Sequence, residues 1–224
     1  MTLQDLRGGL IVSVQAWKGS AMDDPHVIAA MARAAQESGA VGVRIEGVED
    51  LRAVRERVSL PIVGLVKRAY PGFEPYITPT IEEVAAIAAC GAEIVAFDAT
   101  PRPRPGGVSV AGLVAAIHAA GRLALADCAT VADGAAAVAA GADAIASTLC
   151  GYTPETAGQA LPALDLVREL AQLQSFCLCE GGVRSPAGVR AALDAGADAV
   201  VVGSAITNVD WLVREFAGAA DRGS

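Results

Sequence analysis

The chain predicts an α/β protein built as one (β/α)8 TIM barrel, a single domain over residues 1–224. Three observations carry that prediction. First, one phrase recurs, as Ser38-Gly-Ala-Val-Gly-Val-Arg44, Cys90-Gly-Ala-Glu-Ile-Val-Ala96, Ala140-Gly-Ala-Asp-Ala-Ile-Ala146 and Ala195-Gly-Ala-Asp-Ala-Val-Val201. Its glycine suits the left-handed close of a helix and its β-branched residues suit a strand, so each copy is a helix-to-strand junction. Second, the apolar runs Leu10–Ala16, Pro61–Lys67, Leu123–Cys128 and Phe176–Glu180 lie between the copies and bring the strands to eight. Third, these strands are nearly continuous apolar runs that alternate with segments of helical period, the pattern of a parallel sheet covered on both faces. Eight such units in 224 residues point to closure. The alternative, an open doubly wound sheet, lacks a Gly-x-Gly-x-x-Gly after the first strand.

Taken in order, each strand begins apolar and ends polar. Strand one ends in Gln15 and precedes a helix over Pro25–Glu37; strand two ends in Arg44 and Glu46. Strand three ends in Lys67-Arg68 before a helix over Ile81–Ala89, and strand four ends in Asp98 before one over Ala111–Ala120. Strand five ends in Asp127 and strand six in Ser147-Thr148. Strand seven ends in Glu180-Gly181-Gly182 before a helix over Pro186–Ala195, and strand eight ends in Gly203-Ser204. In barrels of this class the carboxyl ends of the strands form the active-site face, so eight polar ends make one ring. Singly, Asp98 or Asp127 reads equally well as a helix cap or a rim ion pair. The ring as a whole is costly to bury without function or partners.

Composition narrows the class further. Hydrophobic residues make up 53% of the chain and aromatics only 4%, which suits small and β-branched residues packed between sheet and helices. The net charge of −8 argues against a nucleic-acid partner, which needs clustered Lys and Arg. No run reaches the roughly 20 apolar residues that span a bilayer. No signal peptide is expected, because Met1–Arg7 is polar and only the short run Leu10–Val14 follows. The five cysteines, Cys90, Cys128, Cys150, Cys177 and Cys179, show no regular ladder. Cys177 and Cys179 would share one face of a strand. A metal site would need a further pair, so buried reduced thiols and a cytoplasmic setting are expected, with no metal.

Two glycine-led turns supply the ligand signal. Val202-Gly203-Ser204 ends the last strand and Glu180-Gly181-Gly182 ends the one before it. Barrels often bind phosphate at the loops after strands seven and eight, so Gly181, Gly182, Gly203 and Ser204 are the expected phosphate contacts. Two tight turns without a ligand are the alternative.

Several phrases resemble the N-acylglucosamine-6-phosphate 2-epimerases, also called N-acetylmannosamine-6-phosphate epimerases. They are Gly9-Leu-Ile-Val-Ser-Val-Gln-Ala16, Gly64-Leu-Val-Lys-Arg68, Tyr76-Ile-Thr-Pro-Thr80, Phe97-Asp-Ala-Thr-Pro-Arg-Pro-Arg-Pro105, Gly151-Tyr-Thr153 and Val202-Gly-Ser-Ala-Ile-Thr207. The resemblance runs from about Leu6 to about Phe216. It implies a cofactor-free isomerase that inverts carbon 2 of N-acetylmannosamine 6-phosphate to give N-acetylglucosamine 6-phosphate, in sialic-acid breakdown. It implies that Lys67 exchanges the C2 proton with Glu180 as its catalytic partner. Gln15, Arg44 and Asp127 would then hold the sugar and its acetamido group.

The chemistry fits those residue types. Carbon 2 of the open-chain sugar is alpha to the C1 aldehyde, so losing its proton gives a stabilised enolate. A lysine base must be neutral part of the time, against a reference pKa of about 10.4. Desolvation at the barrel mouth, or the cations Arg44 and Arg68, would lower it. Glu180 would open the ring or handle hydroxyl protons, and Arg44 would offset oxyanion charge.

Two departures from the resembled family fall at the phosphate end. Gly182 stands where arginine is usual, with Arg184 two places on, and Asn208 stands where arginine is usual. Arg184 or Lys18 would compensate. Val14 replaces a frequent cysteine. Two rival functions remain: an aldolase-like barrel forming a Schiff base on Lys67, and a sugar-phosphate-binding barrel without turnover. Barrels of this type often pair through their outer helices, which makes a homodimer one option for an assembly that the sequence itself does not fix.

Overall fold

The structure, a computed structural model, describes residues 2–220. Eight strands close a barrel in chain order: β1 Leu10–Val14, β2 Gly42–Glu46, β3 Ile62–Leu65, β4 Ile94–Asp98, β5 Leu123–Asp127, β6 Ala144–Ala146, β7 Phe176–Glu180 and β8 Ala199–Val202. Every neighbouring pair is parallel, including β1 with β8. The helices on the outside are α1 Pro25–Glu37, α2 Val48–Arg55, α3 Ile81–Ala89, α4 Val110–Ala119, α5 Val131–Ala139, α6 Leu164–Leu170 and α7 Pro186–Asp194. A single-turn α8, Ser204–Thr207, and α9, Val209–Ala220, follow the last strand. The predicted (β/α)8 class is the observed one.

Five of the helices, α1, α3, α4, α5 and α7, start at a side-chain cap. Asp24 accepts from the backbone N–H groups of His26 and Val27, with Pro25 at the first helical position of α1. Thr80 with Glu83, and Thr130 with Asp133, form capping boxes at α3 and α5. At the other end, Gly39, Gly91, Gly141 and Gly196 all take positive φ, the geometry read from the repeated phrase.

Alternation along the strands sorts the apolar residues into two clusters. Ile11, Val63, Leu65, Ile94, Ala96, Leu125, Leu178 and Val201 pack together inside the barrel, with Leu6 from a 3-10 turn at Leu3–Leu6 joining them. Their neighbours Val12, Val43, Ile45, Val95, Phe97, Ala124, Ile145 and Val200 face the helices. Gly64 faces outward, and a Cβ there would sit 2.6 Å from Ile87 Cγ2, so α3 seats on β3 only because residue 64 is glycine. The five cysteines are free and buried; burial pushes the Cys177 thiol up to about 12 and that of Cys179 to about 11. No helix among the described residues is long and apolar enough to cross a membrane.

The period of two also aims the polar ends. Arg44 and Glu46 follow Gly42 in phase, and Lys67 follows Val63 and Leu65, so all face the interior at the carboxyl end. Lys67 lies just past the end of β3, in an antiparallel bridge with Ile77. Thr78 makes that bridge: its N–H donates to the Val66 carbonyl at 2.8 Å and its hydroxyl accepts from Val66 N–H at 3.3 Å. The return segment thereby fixes the backbone that carries Lys67.

Candidate active site

The strand ends surround a cavity of about 470 Å³, a size ordinary for a small-molecule site. Gln15, Arg44, Lys67, Glu180, Gly181, Gly182, Gly203 and Ser204 all line it. Residues as far apart in the chain as Gln15 and Glu180 line the same cavity because barrel closure puts the ends of β1 and β7 on one rim.

Arg44 is the hub. Only 2% exposed, it donates from Nη2 to Asp127 Oδ2 at 2.7 Å and from Nη1 to Asp127 Oδ1 at 3.1 Å. The same Nη1 lies 2.9 Å from Glu180 Oε2. Burial opposes its charge, but Asp127 and Glu180 outweigh that cost and hold its pKa above the ordinary value. Burial likewise raises the Glu180 carboxyl, against the pull of Arg44. Thr148 Oγ1 reaches both carboxylates, at 2.6 Å from Asp127 Oδ1 and 3.2 Å from Glu180 Oε2.

Lys67 stands across the cavity from that cluster. Its Nζ donates to Gln15 Oε1 at 2.6 Å, and its backbone N–H donates to Glu46 Oε1 at 3.0 Å. Gln15 is oriented in turn by its Nε2, which donates to Ser13 Oγ at 2.9 Å. The lysine remains reachable from solvent, yet the walls desolvate its ammonium and lower its pKa, with the Arg44 cation acting the same way. Arg68 takes no part in this; it lies outside the mouth, 3.5 Å from Glu83.

Two strand-end aspartates separate in role. Asp98 accepts from the Thr100 backbone and hydroxyl at 2.9 and 2.6 Å and from Arg102 at 2.8 Å, with Arg104 at 3.5 Å. It does not line the cavity, so ion pairing explains it. Asp127 is fully buried behind Arg44 and Thr148, and it reaches the cavity through them.

The turn after β7 explains one departure. Gly182 has φ +69°, and a Cβ there would lie 2.3 Å from Leu161 Cβ, on the segment that follows β6. An arginine at 182 is excluded by that packing. Arg184 lines the cavity instead, its guanidinium carbon 5.2 Å from the ring centre of Trp211. Among the described cavity residues it is the one cation without a carboxylate or amide partner. Lys18 is turned away and pairs with Asp23 at 3.6 Å.

Sequence reasoning named no aromatic, but Trp17, Tyr76, Tyr152 and Trp211 all line the mouth. Nine aromatics occur in the whole chain (4 Phe, 2 Trp, 3 Tyr), and both tryptophans are here. That scarcity was the available signal. Thr148 was legible only as a polar strand end. No group of three or more His, Cys, Asp or Glu among the described residues is placed to hold a metal ion.

A closed (β/α)8 barrel whose mouth holds Lys67 opposite the Arg44–Asp127–Glu180 cluster has the architecture of a barrel enzyme, with its polar groups at the carboxyl ends of the strands. Comparison narrows the class. The family model described as "Putative N-acetylmannosamine-6-phosphate epimerase" matches residues 28–222. The chain is 48% identical over 214 residues to the "Putative N-acetylmannosamine-6-phosphate 2-epimerase" of Yersinia pseudotuberculosis, covering 96% of this chain and 91% of that one. Its structure matches that of the N-acetylmannosamine-6-phosphate 2-epimerase from Clostridium perfringens with a TM-score of 0.94 and 39% identity, over 97% and 95% of the two chains. FabK from Thermotoga maritima, 18% identical with a TM-score of 0.65 over 91% of this chain and 60% of that one, shares the fold alone. The chain belongs to the N-acetylmannosamine-6-phosphate epimerase family.

Proposed function

We propose that the protein interconverts N-acetylmannosamine 6-phosphate and N-acetylglucosamine 6-phosphate by exchanging the C2 proton, with Lys67 as the base and Glu180 as its partner. The observation that carries the assignment of roles is the placement of Lys67 and Glu180 on facing walls of one cavity, their pKa values displaced towards each other. A lowered lysine is more readily neutral and so able to accept the C2 proton, and a raised carboxyl is more readily protonated and able to hold one for delivery. One proton shared between them leaves the net charge of the site unchanged: Lys67 charged with Glu180 ionised equals Lys67 neutral with Glu180 protonated. Arg44 offsets the second carboxylate, Asp127, and keeps a cation near the developing enolate oxygen.

Gln15 accepts from Lys67 and faces the cavity, where it contacts the sugar or its acetamido group. Gly181, Gly182, Gly203 and Ser204 form the phosphate end, and Arg184, braced on Trp211, supplies the cation that positions 182 and 208 lack. This activity serves amino-sugar breakdown in the cytoplasm, a setting that agrees with five buried free thiols.

The assembly we propose is a homodimer through α9, which exposes Val213 and Phe216 with 60% and 75% of their surfaces open beside exposed Val209 and Ile206. Sedimentation should give a dimer, and Val213→Glu with Phe216→Glu should give a monomer; a wild-type monomer overturns this.

The activity is tested by incubating the protein with N-acetylmannosamine, with and without its 6-phosphate, in heavy water and following C2 by NMR. Deuterium should enter C2 of the phosphorylated sugar and not in Lys67→Ala. Equal exchange with both sugars removes the phosphate site. Borohydride trapping of substrate on Lys67 would establish the Schiff-base rival instead.

A further inference from the structure

If Glu180 takes and gives a proton in each turnover, as the epimerase reading requires, its surroundings must serve two proton states. Three charged groups face it: Arg44 from β2, Lys67 from just past the end of β3 and Asp127 from β5. On β8 its register partner is the apolar Val201. Among the described residues, the neutral group that reaches its carboxylate is the Thr148 hydroxyl, 3.2 Å from Oε2. That hydroxyl is also 2.6 Å from Asp127 Oδ1.

A hydroxyl has one proton and cannot donate fully to two carboxylates at once. Asp127 does not depend on it, because Arg44 already gives that carboxylate two hydrogen bonds. We propose that Thr148 is the positioning residue of Glu180, its hydroxyl turning between Asp127 and Glu180 so that either proton state of Glu180 has a hydrogen-bond partner. When Glu180 is ionised, Thr148 donates to it. When Glu180 is protonated, its O–H donates to the Thr148 oxygen, whose own proton turns to Asp127. No proton leaves Thr148; the hydroxyl only rotates.

The backbone holds this pair in place. Ser147 Oγ donates to the Glu180 carbonyl at 2.9 Å and accepts from Glu180 N–H at 3.1 Å, while Ser147 N–H donates to the Leu178 carbonyl. The end of β6 is therefore tied directly to the end of β7, and Thr148 cannot drift from Glu180 while the barrel is closed. The bond to the ionised form is the charge-assisted and stronger of the two, so losing it raises the Glu180 carboxyl further.

The test compares wild type, Thr148→Val and Thr148→Ser, with Glu180→Gln marking which limb of the pH profile belongs to Glu180. Thr148→Val should lose roughly 10- to 100-fold in kcat at unchanged KM, and its Glu180 limb should move to higher pH. Thr148→Ser should restore both rate and limb. A slower valine variant with the wild-type limb means a merely structural role, and a raised KM with unchanged kcat means a substrate contact; either overturns the proposal. Thr148→Ala serves should the valine variant not fold. Carbon-13 NMR of the Glu180 carboxyl needs no turnover: if wild type exchanges no C2 proton the epimerase reading fails, while this titration still decides on Thr148.

Discussion

Gln15 Oε1 accepts a hydrogen bond from Lys67 Nζ at 2.6 Å, a contact that favours the charged form of the amine we propose as the base. The rate should rise with pH as Lys67 loses its proton. Replacing Gln15 by Met removes an acceptor that favours the ammonium, so that rising limb of kcat/KM should move to lower pH. Lys67→Arg keeps the cation but cannot release its proton, and C2 exchange should fall by at least about 10³-fold. A pH–rate profile measured by C2 deuterium uptake checks both.

Arg44 compensates two carboxylates at once, the fully buried Asp127 and the partly buried Glu180. Arg44→Met should therefore cost about 3–5 kcal/mol in denaturant unfolding, the usual penalty for stranding a buried charge. It should also return the Lys67 pKa towards its ordinary value, because the Arg44 cation is one of the groups that lower it. Whatever activity survives should then need higher pH.

The Arg184 guanidinium carbon lies 5.2 Å from the Trp211 ring centre, at the mouth. Arg184→Ala should raise KM for the phosphorylated sugar by roughly tenfold, the effect of one charge-assisted contact, and leave slow turnover of the unphosphorylated sugar unchanged. Steady-state kinetics with the two sugars checks it. Equal loss on both would place Arg184 in folding rather than phosphate recognition.

Asp50 on α2 sits half-buried near Glu46 and Asp23, and burial followed by those charges raises its carboxyl to about 6. A folded pKa above the unfolded value of about 3.9 means that the native state binds the extra proton. The stabilisation is full below about pH 4 and is lost as pH rises through about 6. Asp50→Asn should therefore stabilise the protein at pH 8 by about 1 kcal/mol after solvent screening, and by nothing near pH 4. Thermal melts at the two pH values check the sign.

What could be read before folding follows from local chemistry. The repeated helix–Gly-Ala–strand phrase marks Gly39, Gly91, Gly141 and Gly196, and positive φ is a demand each glycine meets alone. Alternation then assigns the inward face of each strand, so the polar strand ends, Lys67 and Glu180 among them, were legible as a ring. Family phrases supplied the reaction, since covalent chemistry constrains residue type more than position.

Partnership was decided by the tertiary structure alone. Whether Asp127 caps, pairs or reacts depends on Arg44, 83 residues away in the chain, meeting it inside a closed barrel. The exclusion of arginine from position 182 depends on Leu161 packing into its space. Thr148 acquires meaning only between two carboxylates brought from different strands. Lys67 and Glu180 were written in the sequence as candidates; their displaced pKa values come from burial and from charges that only barrel closure assembles.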